Sequence, residues 1–355
     1  MPEPITATVC TFNAEQDLQD CLQSLLDQRP APFDEIIVID NASSDGTVAL
    51  VEREFPGVRL IRLETNEGPC PARNTGLREA RNRHVFQVDS DVVVLPDCVE
   101  RLQREMACDD DLAVVFPRGL DAGDLGTVHY DGGSHHYAGV MALRHFYRPV
   151  EECTSAAEDV DAFVSLAALV DRDKLLEVGG YDPAFFILFE DADLSYRLRA
   201  WGYKIRSLPD AIVHHRAGTA GISFRGGNVY PARRLFLHSR NRWMVILKCY
   251  RLRTLILSMP GVLLLGAAYV VFAWTQGALL EYLRAKRSLI AHFPHIREER
   301  RRLARHRRVA DRELLGSPDL TFSPKIERGR GGSLGERILT RILQFYWILI
   351  RPFVG

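Results

Sequence analysis

The sequence predicts an α/β fold: a doubly wound, mostly parallel sheet, followed by a helical C-terminal region that meets a membrane. Three observations carry this. Short apolar runs alternate with segments of helical period through the first ninety residues. Polar residues close each apolar run, at the strand ends where open α/β sheets bind ligands. Residues 254–280 then carry no charge, and roughly 20 such residues can cross a bilayer.

The elements follow in order. Ile5 to Thr11 is a β-rich run, and Leu18, Leu22, Leu25 and Leu26 have helical spacing. Glu35 to Asp40 is an apolar run of the buried parallel-strand kind. Thr47 to Phe55 predicts a helix, Val58 to Leu63 a third strand and Pro71 to Arg81 a third helix. A fourth strand delivers Asp89. This is half of a doubly wound sheet. The first strand ends in Thr11-Phe12-Asn13, with Glu15 close behind. The second ends in Asp40-Asn41, and Asp45-Gly46-Thr47 caps the next helix. Asn66-Glu67-Gly68 follows the third. Asp40 closes an otherwise apolar strand, a place suited to accepting hydrogen bonds from a ribose or a base. No G-x-G-x-x-G follows the first strand, which argues against a dinucleotide oxidoreductase.

Val85, Phe86 and Val88 lead straight into Asp89-Ser90-Asp91. At a strand exit the two aspartates lie on one side of the chain. They repel unless a cation sits between them. Mg2+ or Mn2+ satisfies that geometry and can carry a diphosphate on its open positions. The plainer alternative is a solvated turn capping the next helix. A second acidic cluster ends FFILFEDAD at 185–193. An apolar wall raises a carboxyl pKa and makes a better general base. The alternative is a helix start decorated with acids, because Leu194, Leu198 and Trp201 continue at helical spacing. Glu190 is a candidate for binding hydroxyls, and Asp193 a first-turn acid or an internal partner for Arg197. His214 and His215 close another apolar run; imidazole can ligate Mn2+, although a buried histidine is more often structural. His129, His135 and His136 fall in a Gly/Asp-rich stretch and are expected on a solvated loop.

Four blocks now stand in order at strand ends: TFNAEQDLQDCLQSLLDQ, IDNASSDGT, NEGPCPARNTGLREA and VDSD. Together they resemble the family-2-type inverting glycosyltransferases of the glycosyltransferase-A fold. The resemblance continues through VGGYDPAFFILFEDADLSYRLRAWGYKI and LPDAIVHH, over residues 5–250. It implies a nucleotide-diphospho-sugar donor, Mg2+ or Mn2+, and a glycan or lipid-linked sugar acceptor. Carried onto this sequence, it puts Thr11, Asn13, Glu15, Asp40, Asn41, Asn66, Gly68, Arg73, Asn74 and Ser90 at the donor. It puts Asp89, Asp91 and His215 at the metal, and makes Asp191 the base with Glu190 beside it. HSRNRWMVILK at 238–248 resembles the Arg-Asn segment after such a domain, where Arg240 reaches an anion or caps the domain. Two alternatives remain. One is a haloacid-dehalogenase-like phosphatase using Asp89 and Asp91, although that motif normally lies on the first strand. The other is an inactive membrane scaffold, against which the intact Asp40, Asp89, Asp91 and Asp191 argue.

Composition bounds the rest. The net charge of −1 hides an asymmetry. Residues 1–250 carry 26 Lys and Arg against 38 Asp and Glu; residues 251–355 carry 19 against 8. The acidic first part argues against a nucleic-acid partner. Seven scattered cysteines without C-x-x-C suit a reducing compartment and no zinc site. A strand starting at residue 5 leaves no room for a signal peptide ahead of it. The expected domains are a catalytic 1–250, an apolar then basic membrane-associated 251–316, and a linker with an amphipathic helix at 317–355. Pro260-Gly261 offers a break in the uncharged segment, which with basic flanks on both sides predicts a re-entrant or interfacial segment, a true span being the alternative. The basic run 297–312 would lie on anionic lipid. GRGGS at 329–333 predicts a flexible joint. Ile338, Ile342, Phe345 and Leu349 then form one stripe of an interfacial helix. The protein is expected on the cytoplasmic face of the cell membrane, peripheral or monotopic.

Overall fold

The structure, a computed structural model, describes residues 3–216, 218, 222, 230–322 and 330–355. Its first half follows the alternation in the sequence: β1 (Ile5–Thr11), α1 (Leu18–Leu26), β2 (Phe33–Asp40), α2 (Thr47–Glu54), β3 (Arg59–Arg62), α3 (Pro69–Glu79) and β4 (His84–Asp89). Helix α3 starts two residues earlier than its periodicity suggests, with Pro69 in the first turn, where a missing N–H costs nothing. The chain continues as β5 (Val92–Val94), α4 (Cys98–Met106), β6 (Leu112–Asp121), β7 (Asp124–Tyr130), β8 (Gly133–His136) and β9 (Val140–Leu143). Then come β10 (Glu158–Val160), β11 (Ala167–Asp171), α5 (Arg172–Glu177), α6 (Glu190–Ala200) and β12 (Lys204–His215).

A ten-stranded sheet runs β10-β12-β6-β11-β4-β1-β2-β3, with β5 on β12 and β7 on β6. β1 pairs parallel with both β2 and β4, and β2 parallel with β3. β11 enters antiparallel between β4 and β6. The sheet is mixed, and its N-terminal half is wholly parallel. Register aligns Thr11 with Asp40 and Cys10 with Asp89, so three strand ends open side by side. Ala7, Val9, Phe86 and Val88 from the strands pack with Leu18, Leu22 and Leu102 from the helices in one core.

The chain divides into two compact units. The first comprises Met1–Gly132, Arg144–Leu198 and Tyr203–Ala217 and holds the large sheet. The second comprises Gly133–Leu143, Arg199–Gly202 and Gly218–Gly355. Its helices are α7 (Ala232–Cys249), α8 (Leu252–Thr275), α9 (Leu279–His306), α10 (Asp311–Leu314) and α11 (Arg330–Ile350).

Three expectations are corrected here. The histidines are not on a solvated loop. His129 lies in β7, His135 and His136 lie in β8, and all three are buried. Glycine and aspartate punctuate this stretch like a loop, but strand register turns the rings inward. Burial holds the His136 imidazole neutral, with its pKa at about 3, and its Nδ1 accepts from Ala138 N at 3.0 Å. Second, α8 runs from Leu252 to Thr275 with Pro260 inside it, so Pro260-Gly261 makes no break. The glycine is there for packing: a Cβ on Gly261 would stand 2.3 Å from the Tyr137 hydroxyl. Third, α11 begins at Arg330, so the expected joint is helical from its second residue onward. Its first residue, Gly329, lies outside the described residues.

Candidate active site

The strand ends are tied into a rigid rim. Asn13 Oδ1 accepts from Ser44 N at 2.8 Å, and Asn13 N donates to Ser43 Oγ at 2.8 Å. Glu15 Oε2 accepts from Gly46 N at 3.2 Å. Asp40, buried, accepts from Ser43 N through both oxygens. Asn41 Nδ2 donates to Asn66 Oδ1 and to Gly68 O, each at 2.9 Å. Of the residues assigned to the donor, Thr11, Asn13, Glu15, Asp40, Asn41, Asn66 and Gly68 are therefore gathered at the ends of β1, β2 and β3. Two buried atoms in this rim, Thr11 Oγ1 and Asn41 Oδ1, have no hydrogen-bond partner among the described residues. Unmade buried hydrogen bonds are costly and point to a ligand or water.

Arg73, from α3, stands at the centre. It is buried, and its Nη2 donates to Asp89 Oδ1 at 2.8 Å and Oδ2 at 3.1 Å. Its Nη1 reaches Glu190 Oε1 at 3.3 Å. Arg73 thus links the D-x-D strand end to the acidic start of α6. Asn74 spends both ends of its amide on Tyr181: Nδ2 donates to Tyr181 O at 2.7 Å, and Oδ1 accepts from Tyr181 N at 2.8 Å. It fastens the loop that leads to Glu190.

That loop is strained. Phe186, Leu188 and Phe189 have φ of 65°, 71° and 71°, a region non-glycine residues rarely enter. Ile187 N donates to Phe185 O at 2.9 Å, which closes a tight three-residue turn about Phe186. Gly68 makes this possible. Its φ is +90°, and a Cβ there would lie 2.4 Å from Phe186 O. Behind the loop, the buried Arg197 pairs with Asp193 at 2.7 Å, as the sequence suggested, and donates to Val178 O and Gly180 O.

Glu190 and Asp191 are the first residues of α6. Burial raises both carboxyl pKa values; the Asp191 charge raises Glu190 further, and Arg73 pulls both down. Glu190 Oε2 is buried with no hydrogen-bond partner among the described residues. Asp191 Oδ1 accepts from Ser165 Oγ at 2.5 Å. Burial also lifts Asp89 to about 6, opposed by Arg73. These are acids kept poorly solvated by the fold, as base chemistry requires.

Asp91 faces His215, whose Nε2 lies 3.4 Å from Asp91 Oδ2. β5 and β12 pair antiparallel with His215 opposite Val92, which brings the two together. His215 Nδ1 meets His129 Nδ1 at 3.0 Å, and the rings stack at 4.9 Å. His129 therefore fixes the His215 ring from behind. Among the described residues no three His, Cys, Asp or Glu side chains close into a metal-holding group. The expected trio is not assembled as one, because Asp89 is turned onto Arg73. The oxygen and imidazole donors of Asp91 and His215 nevertheless suit a hard divalent cation.

Four residues of this site were not assigned from the sequence: Ser165, Tyr181, His129 and Gln87, whose Oε1 accepts from the Tyr181 hydroxyl at 3.1 Å. Gln87 left a signal, as the one polar residue inside the apolar run between His84 and Asp89. Ser165 left none; Tyr181 stood in the resembling block and His129 in the stretch read as a loop, and only the tertiary fold brings all three in.

Residues 6–155 match the family model described as "Glycosyl transferase family 2", and residues 84–296 match "Glycosyl transferase family group 2". The succinoglycan biosynthesis protein ExoO of Rhizobium meliloti (strain 1021) is 38% identical over 99 residues, 28% of each chain. The poly-beta-1,6-N-acetyl-D-glucosamine synthase of Staphylococcus epidermidis is 25% identical over 215 residues, 59% of this chain and 49% of that one. The matched stretches thus span half of these relatives or less. A crystal structure of GalNAc-T7 with UDP, GalNAc and Mn2+ superposes with a TM-score of 0.56 at 19% identity, over 69% of this chain and 48% of that one. That likeness is one of fold.

Proposed function

The chain belongs to the family-2 glycosyltransferases, and from that premise we propose that it transfers a sugar from a nucleoside diphosphate to a glycan or lipid-linked acceptor in polysaccharide assembly. The observation that carries this reading is the pair of buried Glu190 and half-buried Asp191, joined through Arg73 to Asp89 at the open ends of parallel strands. Membership of the family sets aside the phosphatase alternative. The named activity of the S. epidermidis relative, a polysaccharide synthase, supports the choice of acceptor.

In this reading the rim of Thr11, Asp40 and Asn41 receives the nucleoside, whose polar groups complete the unmade bonds of Thr11 Oγ1 and Asn41 Oδ1. Asp91 and His215, with Asp89 of the same strand end, would hold Mg2+ or Mn2+, which would neutralise the diphosphate leaving group when bound. Asp191 takes the proton of the acceptor hydroxyl as that oxygen attacks the anomeric carbon, with inversion. Glu190 Oε2, unpartnered among the described residues and buried, accepts from a neighbouring acceptor hydroxyl and orients it. Arg73 keeps Asp89 and Glu190 from repelling each other while the acceptor is absent. Asn66, Gly68, Asn74 and Ser90 shape the donor's seat.

We place the protein at the cytoplasmic surface of the membrane, and the second unit supports a membrane-facing role. α8 is long and apolar enough to cross a bilayer. Its Ile256, Leu263, Val271 and Trp274 are more than half exposed, as are Ile338, Phe345, Ile348 and Leu349 of α11.

The test is donor binding. Thermal unfolding of the full chain would be followed with a panel of nucleoside diphosphates and their sugars, with and without Mn2+. One nucleotide is expected to raise the unfolding temperature in the presence of Mn2+, because a ligand at a hundred times its Kd stabilises by about 2.7 kcal/mol. Asp91→Ala should remove the Mn2+-dependent part. Mn2+-sensitive binding that persists unchanged in this variant contradicts the assigned metal residues.

A further inference from the structure

Behind Asp191 four oxygens stand in a row. Asp191 Oδ1 lies 2.5 Å from Ser165 Oγ, which lies 2.9 Å from the Tyr181 hydroxyl, which lies 3.1 Å from Gln87 Oε1. Ser165, Tyr181 and Gln87 are all buried. The amide of Gln87 has only one orientation open to it. Its Nε2 donates to the carbonyl of Arg73 at 3.3 Å, and a carbonyl cannot accept from an oxygen that carries no hydrogen, so Oε1 faces Tyr181. The row has an acceptor-only group at the far end.

Hydrogens can then be counted. Three oxygen–oxygen gaps need three hydrogens. Ser165 and Tyr181 bring one each. When Asp191 is ionised only two are available, and one close pair of oxygens is left with none between them. When Asp191 is protonated its own hydrogen supplies the third. Asp191 then donates to Ser165, Ser165 to Tyr181 and Tyr181 to Gln87, and every gap is filled. Alone, the Ser165 hydroxyl would favour the carboxylate; tied to Tyr181 and Gln87, the row favours the acid.

We propose that Tyr181 and Gln87 are positioning residues that make Asp191 a stronger base, by a row of hydrogen bonds that is complete only after Asp191 has accepted a proton. This rests on the reading of Asp191 as the base. The step balances. The acceptor's proton moves to Asp191 as the acceptor oxygen forms its bond to the anomeric carbon and the diphosphate leaves with the electron pair of the broken bond. The hydrogens of Ser165 and Tyr181 only change which neighbour they face, and neither residue loses one. The other groups facing Asp191 are the Ser165 backbone N–H, which favours the carboxylate, Arg73 from α3, Glu190 on its own helix and the Cys70 thiol, which burial keeps protonated. Burial likewise keeps the Tyr181 phenol from ionising.

The experiment titrates Asp191 directly, without substrate. The full chain would be labelled with 13C at aspartate side-chain carboxyls and its spectra followed against pH. The Asp191 signal is the one lost in Asp191→Asn. In Tyr181→Phe one oxygen and one hydrogen leave the row, so the ionised state no longer lacks a hydrogen. The midpoint of Asp191 should fall by about one pH unit, the scale of one hydrogen bond. Gln87→Met removes the far acceptor, three links from the carboxyl, together with the Nε2 bond to the Arg73 carbonyl, and should lower it in the same direction. If Tyr181→Phe fails to fold, Gln87→Met alone decides. An unchanged or higher midpoint in the folded variants overturns the proposal. Turnover that survives Asp191→Asn would instead overturn the assignment of the base, whatever the midpoints show.

Discussion

Glu190 and Asp191 are acids placed where charge is expensive, and this sets a conflict between stability and chemistry. The folded protein holds the Glu190 carboxyl well above the usual carboxylate range, first through burial and then through the Asp191 charge. A raised acid binds its proton more tightly in the folded than in the unfolded chain. Its contribution to stability is therefore complete below the unfolded pKa and is lost as pH rises through the folded one. Glu190→Gln should consequently stabilise the protein at pH 9 relative to wild type, by about 1–3 kcal/mol, and give no gain at pH 4. Chemical denaturation at the two pH values checks this; a gain of equal size at both would contradict it. The acids that carry this conflict were legible in the sequence, because the Asp89–Asp91 pair and the Glu190–Asp191 pair each end an apolar run. Their partners were less so. Arg73 was read as a donor contact, yet it is spent on Asp89 and Glu190. Ser165 and Tyr181 meet Asp191 only through the approach to β11 and the loop after α5, which no local pattern foretells.

At the scale of the element, the site depends on the strained loop 185–189 and on the glycine that admits it. Gly68→Ala would set a Cβ against Phe186 O and force a left-handed φ on alanine. The loop must then shift, carrying Glu190 and Asp191 with it. A misplacement of about 1 Å can cost on the order of 100-fold in rate. Turnover should fall by about that much, and nucleotide affinity, which Thr11 and Asp40 also set, by less. Unchanged turnover would show that the loop does not position the acids. The strands and helices before Asp89 were legible from periodicity, since each helix buries one stripe and each strand an apolar run. After Asp89 the sheet was not. β11 inserts antiparallel between β4 and β6, a pairing across distant sequence. The same limit applies to Pro260-Gly261, which reads as a break and serves Tyr137 as a packing surface.

For the whole molecule, charge separates what composition made visible: residues 1–250 are net acidic and residues 251–355 net basic. On α9 the exposed Arg297, Arg301 and Arg305 follow at helical spacing after the exposed Leu283, Ile290 and Phe293. Apolar insertion and attraction to anionic lipid should therefore act together, and salt screens only the second. High salt should weaken binding of the full chain to anionic vesicles without releasing it. Replacing Arg297, Arg301 and Arg305 with glutamine should cost about 1 kcal/mol each on anionic vesicles and nothing on neutral ones. Full release at high salt would rule out insertion. The central claim, that Asp191 is the base of a sugar transfer, is tested most directly by Asp191→Asn. With the nucleotide sugar that stabilises the wild-type chain, one measures its affinity and the rate at which nucleoside diphosphate is released. The expected result is an affinity within a few-fold of wild type and a rate lower by about 10²- to 10⁴-fold. A rate within a few-fold of wild type would contradict the claim.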